Sequence, residues 1–408
     1  MRILINSLNY HPELTGIGKY SGEMAVWLVE KGHEVHVVTA PPYYPQWKIL
    51  KGYRSGTYSR QMINGVNVWR CPLWVPARPS GVKRIMHLAS FALTSLPIML
   101  YHMFKRPDVI LVVEPPLFCT PTTLLVSFLC RARSWLHIQD FEVDAAFDLG
   151  ILSSKCLRKF ILKTETWLMC KFDRVSTISD QMLVQLERKG VMLKKQVLFP
   201  NWVDIDHIYP VQWPSEFRAQ LGLSRSNIVF LYSGNMGEKQ GLEIVIQAAK
   251  KLRNHLNIRF IMCGQGAAHN RLYNMASDLD NIQWLPLQPL EKLNELLNVA
   301  DVHLLPQRAG AADLVMPSKL TGMLASGRPV IATAMEDTQI AKVLESSGVI
   351  VPPENTELFI KAIVDLANNV EKRQLLGENS RKYAEENLGK DAVLSKFEQS
   401  LLECVSNH

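Results

Sequence analysis

Residues 2–8, Arg2-Ile3-Leu4-Ile5-Asn6-Ser7-Leu8, form a short apolar run that leads into a glycine-containing loop. A helical pattern follows over residues 19–31, Gly32 ends it, and a second apolar run covers residues 35–39. A buried strand, a helix and another buried strand in this order indicate a β-α-β unit. The start of the chain therefore predicts a parallel sheet covered by helices.

The same alternation continues along the rest of the chain. Further strands are predicted at residues 66–70, 109–113, 134–139, 174–178, 228–232, 258–263, 302–305 and 329–332. The second half also carries helical patterns at residues 241–252, 290–298 and 318–326, and a polar helical tail from about 379 to 404. This rhythm is typical of α/β proteins with parallel sheets.

The chain has 408 residues, which exceeds what one hydrophobic core usually supports. The alternation pauses over residues 199–223 and then restarts. We therefore predict two Rossmann-like domains, 1–205 and 206–385, followed by a C-terminal helix, 386–408, that can return to the first domain. Two such domains that face each other across a central cleft place the carboxyl ends of both sheets, where ligands bind, on its two sides.

Composition points to a reducing compartment. The seven cysteines are odd in number and scattered, which is typical of thiols rather than of disulfides or a zinc site. The N-terminus has no long apolar segment with a cleavage site, so we expect a cytoplasmic protein.

Charge is unevenly distributed along the chain. Residues 1–200 contain 25 Lys and Arg against 14 Asp and Glu, whereas the remainder contains 20 against 24. A basic half favours an anionic partner, either nucleic acid or anionic lipid. Because no nucleic-acid-binding motif is present, we expect no nucleic-acid partner and favour an anionic membrane surface.

Two basic helical segments agree with a membrane partner. Residues 85–101 are apolar on nearly all sides, are flanked by basic pairs and contain Pro97, which favours a core or interfacial helix over a membrane span. The flanking pairs and the basic residues of the second segment are Lys83-Arg84, Lys105-Arg106, Lys155, Arg158, Lys159 and Lys163. The alternative is that these charges only solvate a protein surface.

The strongest chemical signal is Pro317-Ser318-Lys319-Leu320 at the start of a helix. Proline at a helix start leaves the following amide groups pointing outward, where they and the helix dipole attract phosphate. Lys319 adds a full positive charge. The motif predicts a diphosphate site, and an ordinary helix start with a solvated lysine is the alternative.

Two glycine-rich loops follow strands in the second half. The first, residues 232–241, includes Asn235 and Lys239, and the second includes Gly264 and Gly266. Glycine permits positive φ angles and close approach of the backbone to phosphate. We expect the first loop to bind phosphate, with Lys239 supplying charge, and the second to lie near a base or ribose.

The loop after the first strand carries Gly16 and Gly18, which predict another approach site for phosphate. The full dinucleotide fingerprint is absent because Ser21 stands where a third glycine is expected. A hydride-transfer enzyme is therefore disfavoured.

Polar residues end the strand at residues 134–139. His137 and Gln139 share one face of the strand and Asp140 lies at its tip, so His137 or Asp140 could orient an acceptor or take its proton. A polar strand end with satisfied hydrogen bonds is the alternative, and it is favoured for His137 alone. Asp204-Ile205-Asp206 has the form of a metal-binding motif, but we interpret it as a turn and expect no metal.

Several short motifs occur in a fixed order along both halves. They are Gly32-His33-Glu34-Val35, Val37-Val38-Thr39, Arg174-Val175-Ser176-Thr177-Ile178-Ser179, Pro200-Asn201-Trp202-Val203-Asp204, Gly264-Gln265-Gly266, Ala300-Asp301-Val302-His303-Leu304-Leu305-Pro306 and Ala325-Ser326-Gly327-Arg328-Pro329-Val330. This ordered set resembles the GT4 family of retaining GT-B glycosyltransferases over almost the whole chain. Pro12-Glu13, Gly234-Asn235, Gln240-Gly241 and residues 313–320 are similar to a bacterial exopolysaccharide and O-antigen branch that includes fucosyl- and N-acetylfucosaminyltransferases.

The sequence departs from the family at several positions. Leu314 and Gly322 replace the usual pair of glutamates, and Asn235 and Gln240 replace the usual Arg and Lys of the glycine loop. Gln139 replaces a strand-end His. The donor contacts implied by the resemblance are therefore assigned to Lys239, Ser318, Lys319, Leu320, Asp313 and Arg308, together with the glycines named above.

The resemblance implies a hexosyltransferase that uses a nucleotide sugar, best assigned as GDP-fucose, without a metal. The implied acceptor is a polyprenyl-diphosphate-linked glycan in exopolysaccharide synthesis of the colanic-acid type, at the inner face of the plasma membrane. A sugar-nucleotide epimerase on the same fold and a non-catalytic nucleotide-binding scaffold are the alternatives.

Overall fold

A computed structural model describes residues 1–13, 16–77, 81–141, 155–211, 216–309 and 316–406. The chain divides into two compact units. The N-terminal unit comprises residues 1–200 and 394–408, and the C-terminal unit comprises residues 201–393. Each unit has its own sheet.

The sheet of the N-terminal unit has eight strands among the described residues, in the order β3-β4-β2-β1-β5-β6-β7-β8. Their bounds are β1 Arg2–Ser7, β2 Glu34–Thr39, β3 Ser59–Ile63, β4 Val66–Arg70, β5 Val109–Glu114, β6 Arg133–Ile138, β7 Arg174–Thr177 and β8 Gln196–Leu198. All neighbours pair in parallel except β3 and β4. The predicted parallel sheet is thus confirmed. Two strands that were not predicted extend it, the antiparallel β3 at one edge and the parallel β8 at the other.

The antiparallel edge strand β3 is joined to β4 by a two-residue turn. Asn64 and Gly65 have φ angles of 46° and 80°, which suit a tight hairpin between Ile63 and Val66. Asn and Gly tolerate these positive angles better than other residues do.

Helices cover both faces of this sheet. The described helices are α1 Gly16–Glu30, α2 Gly81–Met103, α3 Thr120–Cys130, α4 Lys155–Lys171 and α5 Asp180–Arg188. At α1 the chain moves along the sheet toward β3, whereas at α2, α3, α4 and α5 it moves toward β8. Because crossovers are right-handed, α1 lies on one face of the sheet and the other four helices lie on the opposite face. Every residue of β5 is buried, as a central strand covered on both faces requires.

The C-terminal unit has a parallel six-stranded sheet in its described part, in the order β11-β10-β9-β12-β13-β14. The strands are β9 Ile228–Ser233, β10 Ile258–Cys263, β11 Ile282–Leu285, β12 Val302–Leu305, β13 Val330–Thr333 and β14 Gly348–Val351. The helices are α6 Glu216–Gln220, α7 Glu243–Lys251, α8 His269–Met275, α9 Leu293–Val299, α10 Ser318–Ala325, α11 Gln339–Leu344, α12 Thr356–Asn368 and α13 Val370–Asn387. Each sheet therefore has the order of a doubly wound α/β fold.

The end of the chain differs from the predicted single helix at 379–404. Helix α13 ends at Asn387, and a separate helix, α14 (Lys390–Ser406), follows it. The break lies where Leu388 and Lys390 exchange backbone hydrogen bonds with Val203 at 2.8 and 3.0 Å, so a bridge replaces a helical turn. The second part of α14 belongs to the N-terminal unit.

Aromatic packing anchors α14 in that unit. Phe397 stacks on Phe199 with ring centroids 3.9 Å apart and meets Trp135 edge-on at 5.3 Å. Glu398 lies 2.8 Å from His33 Nε2.

Candidate functional site

Two loops and a helix start meet at the carboxyl edge of the C-terminal sheet. One loop follows β9, the second follows the adjacent β10, and the helix is α10. A methyl group at Gly234, in the first loop, would lie 3.5 Å from Lys319 Cδ and 3.9 Å from Lys319 Nζ. The structure thus brings together the two stretches that the sequence predicts to bind a diphosphate.

Lys319 places a positive charge at this edge. Its Nζ atom lies 4.3 Å from the centroid of the buried Tyr232 ring, and the side chain is half-buried. Burial lowers the pKa of Lys319 to about 7. Within the described ranges, no carboxylate oxygen lies within 4 Å of Nζ. A partly desolvated ammonium without such a partner gains most from an anionic ligand.

The backbone at the start of α10 has the predicted form. Pro317 precedes α10 and offers no side-chain cap, and Ser318 is exposed. The first amides of a helix lack partners within the helix, so they can donate to a ligand. Leu320 differs, because its side chain is buried and its N–H donates to the Pro317 carbonyl at 2.9 Å. We therefore assign Leu320 to the core, which corrects its predicted role as a donor contact.

Glycine is required where the two loops touch. A methyl group at Gly264 would lie 1.9 Å from the Gly234 carbonyl oxygen, and one at Gly266 would lie 2.4 Å from the Met236 carbonyl oxygen. Both glycines have positive φ angles, 147° and 155°. The Met236 N–H donates to the Gln265 carbonyl at 2.8 Å, which joins the loops directly. The absence of a side chain at these two glycines allows the two loops to contact each other closely.

Asn235 and Lys239, in the loop after β9, are both exposed. Asn235 Oδ1 lies 2.7 Å from the position of a methyl group on Gly266, so its amide lies against the second loop. Tyr232 fixes this loop from below by donating its hydroxyl hydrogen to the Asn235 carbonyl.

Arg308 is held by carboxylate and backbone oxygens beside the same loop. Its Nε donates to the Glu238 carbonyl at 2.7 Å, and its guanidinium lies 3.0 Å from Glu243 Oε1. Glu243 also pairs with Arg271 at 2.7 Å. The charge of Arg308 is therefore largely compensated, in contrast to that of Lys319. Asp313 and Leu314 lie outside the described residues.

A cavity of about 540 Å³ opens beside the second glycine loop. Gly264 and Gly266 form one side, and His269, Tyr273 and Trp284 supply aromatic walls. The Tyr273 and Trp284 rings meet edge-on with centroids 5.5 Å apart. A cavity with aromatic walls next to a phosphate-attracting edge suits a planar heterocycle.

In the N-terminal unit, the Glu13 carboxylate organises the loop after β1. Glu13 Oε1 accepts hydrogen bonds from the Tyr43 and Tyr44 amides at 2.9 and 3.0 Å, and Oε2 accepts one from Asn9 Nδ2 at 2.8 Å. A methyl group on Gly18 would lie 2.7 Å from Oε2, so Gly18 leaves room for this carboxylate. Burial raises the pKa of Glu13.

Gly16, by contrast, is exposed at the first position of α1 and has a φ angle of 58°. Its predicted approach to phosphate stays a prediction.

His137 lies inside the N-terminal unit. Gln139 Nε2 donates to His137 Nε2 at 2.9 Å, so the ring donates from Nδ1 to Ser176 Oγ, also at 2.9 Å. Burial lowers the pKa of His137 to about 3. The ring is therefore neutral and enclosed, which agrees with the satisfied strand end and corrects the prediction that His137 takes a proton from the acceptor. Asp140 is exposed just beyond β6. Its role in orienting the acceptor or taking its proton stays a prediction.

The acidic motif in residues 204–206 forms a turn, as predicted. Asp204 Oδ1 accepts hydrogen bonds from the amides of Asp206 and His207 at 3.1 and 3.0 Å. In the part of the chain that the structure describes, no group of three or more His, Cys, Asp or Glu side chains could hold a metal ion.

Three features of these sites were not predicted from sequence. The sequence places Glu13 only within a stretch that resembles a family, although its position three residues before a glycine-containing helix start is a signal. The aromatic residues Tyr273 and Trp284 lie on α8 and β11, and nothing in their spacing indicates that they share a wall. The sequence indicates Tyr232 only as the start of a loop.

Comparison with known proteins gives matches over both units. Residues 15–202 match the family described as glycosyl transferase 4-like domain, and residues 215–383 match glycosyl transferases group 1. The chain is 43% identical over 414 residues to the putative colanic acid biosynthesis glycosyl transferase WcaI of Escherichia coli K12, covering 97% of this chain and 98% of that protein.

Solved structures show the same fold at low identity. Sucrose-phosphate synthase from Thermosynechococcus elongatus aligns over the full length of both chains with a TM-score of 0.75 and 18% identity. HepE of Anabaena, in complex with UDP, aligns over 99% of this chain and 100% of its own with a TM-score of 0.72 and 14% identity.

Proposed function

Because this chain belongs to the GT4-type glycosyltransferases of the GT-B fold, we propose that it transfers L-fucose from GDP-fucose, with retention, to a polyprenyl-diphosphate-linked glycan. The 43% identical relative is named for colanic acid biosynthesis, which supports a role in exopolysaccharide synthesis of that type. HepE, a structural neighbour, is described in complex with UDP, which supports a nucleotide sugar as donor.

The observation that carries the proposal is the position of Lys319. Its ammonium lies beside Gly234 at the carboxyl edge of the sheet and at the uncapped start of α10. A positive side chain, free amides and a helix dipole at one point form a site for a diphosphate. The diphosphate of a sugar nucleotide is also the leaving group of the transfer.

The same groups can perform the chemistry. As the bond between the sugar C1 and the diphosphate oxygen breaks, negative charge grows on that oxygen, and Lys319 with the α10 amides stabilises it. The acceptor hydroxyl oxygen bonds to C1 on the same face, which retains the configuration. Its proton passes to the departing diphosphate, and Asp140 orients the acceptor. This scheme requires no metal ion.

The aromatic cavity supplies a place for the base. It adjoins the glycine loop, so a nucleotide whose diphosphate lies at Lys319 can extend its ribose past Gly264 and its base toward Tyr273 and Trp284. Stacking on aromatic rings contributes about 1–3 kcal/mol per base.

A lipid-linked acceptor requires the transferase to act at a bilayer. We place the protein in the cytoplasm, peripherally associated with the inner face of the plasma membrane. The basic N-terminal half supports this placement, because the inner leaflet is anionic.

Thermal unfolding with a panel of GDP-, UDP- and dTDP-sugars tests the donor assignment. We expect GDP-fucose to raise the melting temperature most, since a ligand stabilises the state that binds it. Stabilisation by a UDP-sugar alone would overturn the choice of GDP-fucose. Products formed from the donor alone would instead indicate an epimerase.

A further inference from the structure

Helix α2 packs against the protein along one side and leaves an apolar side exposed. Its buried residues, His87, Phe91, Ser95, Met99 and His102, recur every three or four positions and so form one stripe. The opposite side is apolar and faces solvent. Its exposed residues are Val82, Met86, Leu93, Pro97 and Tyr101, with Phe104 just beyond the helix end.

The neighbouring helices extend this apolar surface. Helix α3 packs against α2, and α4 packs against α3, so the three helices lie side by side on one face of the sheet. Their most exposed large side chains are Phe128 at 81%, Phe104 at 78%, Leu93 at 71% and Phe160 at 68%. The other exposed large apolar residues of α3 and α4 are Leu125, Leu129 and Trp167. We call the exposed residues of α2, α3 and α4, with Phe104, the outer helical face.

Charge on the outer helical face has one sign. Helices α2 and α3 contain no acidic residue, and the only one in α4, Glu165, is buried and paired with Lys189 at 2.6 Å. The exposed basic residues on and around the face are Lys83, Arg84, Lys105, Arg106, Arg131, Lys159, Lys163 and Lys171. Lys171 Nζ lies 5.5 Å from the centre of the Trp167 ring, so an amphipathic aromatic lies beside a cation.

We propose that the outer helical face docks on an anionic phospholipid bilayer, with the apolar side chains entering the headgroup region and the basic residues contacting lipid phosphates. Exposed apolar side chains gain free energy on entering the acyl boundary, and each basic residue near the surface adds an electrostatic contribution. The docking rests on the proposed function only in that a lipid-linked acceptor brings the enzyme to a bilayer.

Two other occupants fit the observations less well. A second copy of this chain on the same face would bring like charges together, which opposes self-association. Helix α2 is long and apolar enough to cross a membrane by length and composition. Crossing would, however, pull His87, Ser95 and His102 out of their buried positions into hydrocarbon. A helix that keeps its buried stripe and lies along the bilayer avoids this cost.

Flotation of the full-length protein with liposomes tests the proposal. One set is neutral phosphatidylcholine, and the other also contains phosphatidylglycerol. We expect the wild type to float with the anionic liposomes only, and less so at high salt. The Leu93→Ser, Phe104→Ser, Phe128→Ser triple variant should lose at least about tenfold in partitioning.

A matched control replaces three exposed leucines of the C-terminal unit and should float like the wild type. Its substitutions are Leu256→Ser, Leu287→Ser and Leu375→Ser. A charge variant, Lys159→Gln with Lys163→Gln, should lose about fivefold for each charge and tests the proposal even if the triple variant misfolds. Unchanged flotation of both variants, or no flotation of the wild type, would overturn the proposal.

Two further readouts separate the alternatives. Light scattering that showed a wild-type dimer and a monomeric triple variant would assign the face to self-association and overturn lipid docking. The GDP-fucose thermal shift, measured on the same proteins, reports the donor site alone. A variant that loses flotation but keeps the GDP-fucose thermal shift is therefore impaired only in the docking face.

Discussion

The Lys319 ammonium lies 4.3 Å from the centroid of the Tyr232 ring. The ring covers one side of the cation and Gly234 another, so the charge is held at one point rather than spread over a mobile side chain. This pair links α10 to β9 and fixes the position of the cation at which we propose that the donor diphosphate binds.

Replacement of Lys319 by Met should reduce transfer strongly while keeping the packing of the side-chain stem. We expect kcat/KM to fall about 10²–10³-fold, as on removal of one preorganised charged donor. Steady-state kinetics with GDP-fucose would measure this. Lys239→Met, at an exposed position in the adjacent loop, should have a smaller effect. Equal losses in both variants would contradict the central role of Lys319.

Donor affinity should depend on pH through the same residue. The pKa of Lys319 is lowered to about 7, so the ammonium is lost as the pH rises through that value. If the bound diphosphate keeps Lys319 charged, GDP-fucose should bind about tenfold more weakly at pH 8 than at pH 6. Isothermal titration at several pH values measures this, and Lys319→Met should flatten the profile. A profile that stays steep in Lys319→Met would assign the titration to another group.

The fold was largely predictable because the buried parallel strands are nearly continuous apolar runs. Residues 109–113 illustrate this, since all of β5 is buried and no polar residue interrupts it before Glu114. The sequence analysis did not predict the four edge strands, β3, β8, β11 and β14. Most of their residues are exposed or only partly buried, and β3 also lacks an apolar pattern. The break between α13 and α14 depends on a bridge to Val203, which is remote in sequence.

The site was predictable only where local backbone chemistry defines it. Glycine loops and a proline at a helix start have signatures within a few residues. The sequence therefore predicts the loops that contain Gly234 and Gly264 and the helix start that contains Lys319. Their mutual contact, and the aromatic wall formed by Tyr273 and Trp284, arise from the order of strands in the sheet. His137 shows the converse, because strand periodicity placed it on a face but could not show that the face is enclosed.

The aromatic cavity makes a separate prediction about the base. Tyr273→Ala should weaken GDP-fucose binding about tenfold, which corresponds to one stacking contact. Kinetics should show the loss mainly in KM, because the proposed base site lies away from the breaking bond. Tyr209→Ala, which removes an exposed tyrosine of the same unit, is the control and should leave binding unchanged. A normal affinity in Tyr273→Ala would move the base elsewhere.

Gly264 should be far less replaceable than a positive-φ glycine at an open position. In Gly264→Ala, the methyl group would meet the Gly234 carbonyl oxygen at 1.9 Å, so the two loops must separate. We expect a loss of about 3 kcal/mol in the free energy of unfolding. Gly222→Ala is the control for a positive φ without a clash, because Gly222 has a φ of 69° and no atom within 4 Å of the added methyl group. It should cost only about 1 kcal/mol. Denaturant unfolding would measure both, and equal losses would contradict the clash.

Acid should destabilise the protein through buried neutral histidines. Burial lowers the pKa of His102 to about 4 and that of His137 and His303 to about 3. Below pH 6.5 the unfolded chain therefore binds more protons than the folded one, and the free energy of unfolding decreases as the pH falls. Each histidine contributes up to about 1.4 kcal/mol per pH unit until its folded-state pKa is reached.

His102→Phe tests this linkage in the N-terminal unit, because phenylalanine keeps a ring beside Tyr101 and His36 but cannot titrate. Between pH 6.5 and about 4, the variant should lose less stability than the wild type, by up to about 1.4 kcal/mol per pH unit. Urea unfolding at intervals across this range measures the slope. His255→Phe, at an exposed position, serves as the control and should leave the slope unchanged. If His102→Phe were as acid-sensitive as the wild type, protonation of His102 would not contribute to acid unfolding, and the loss would have to come from other groups.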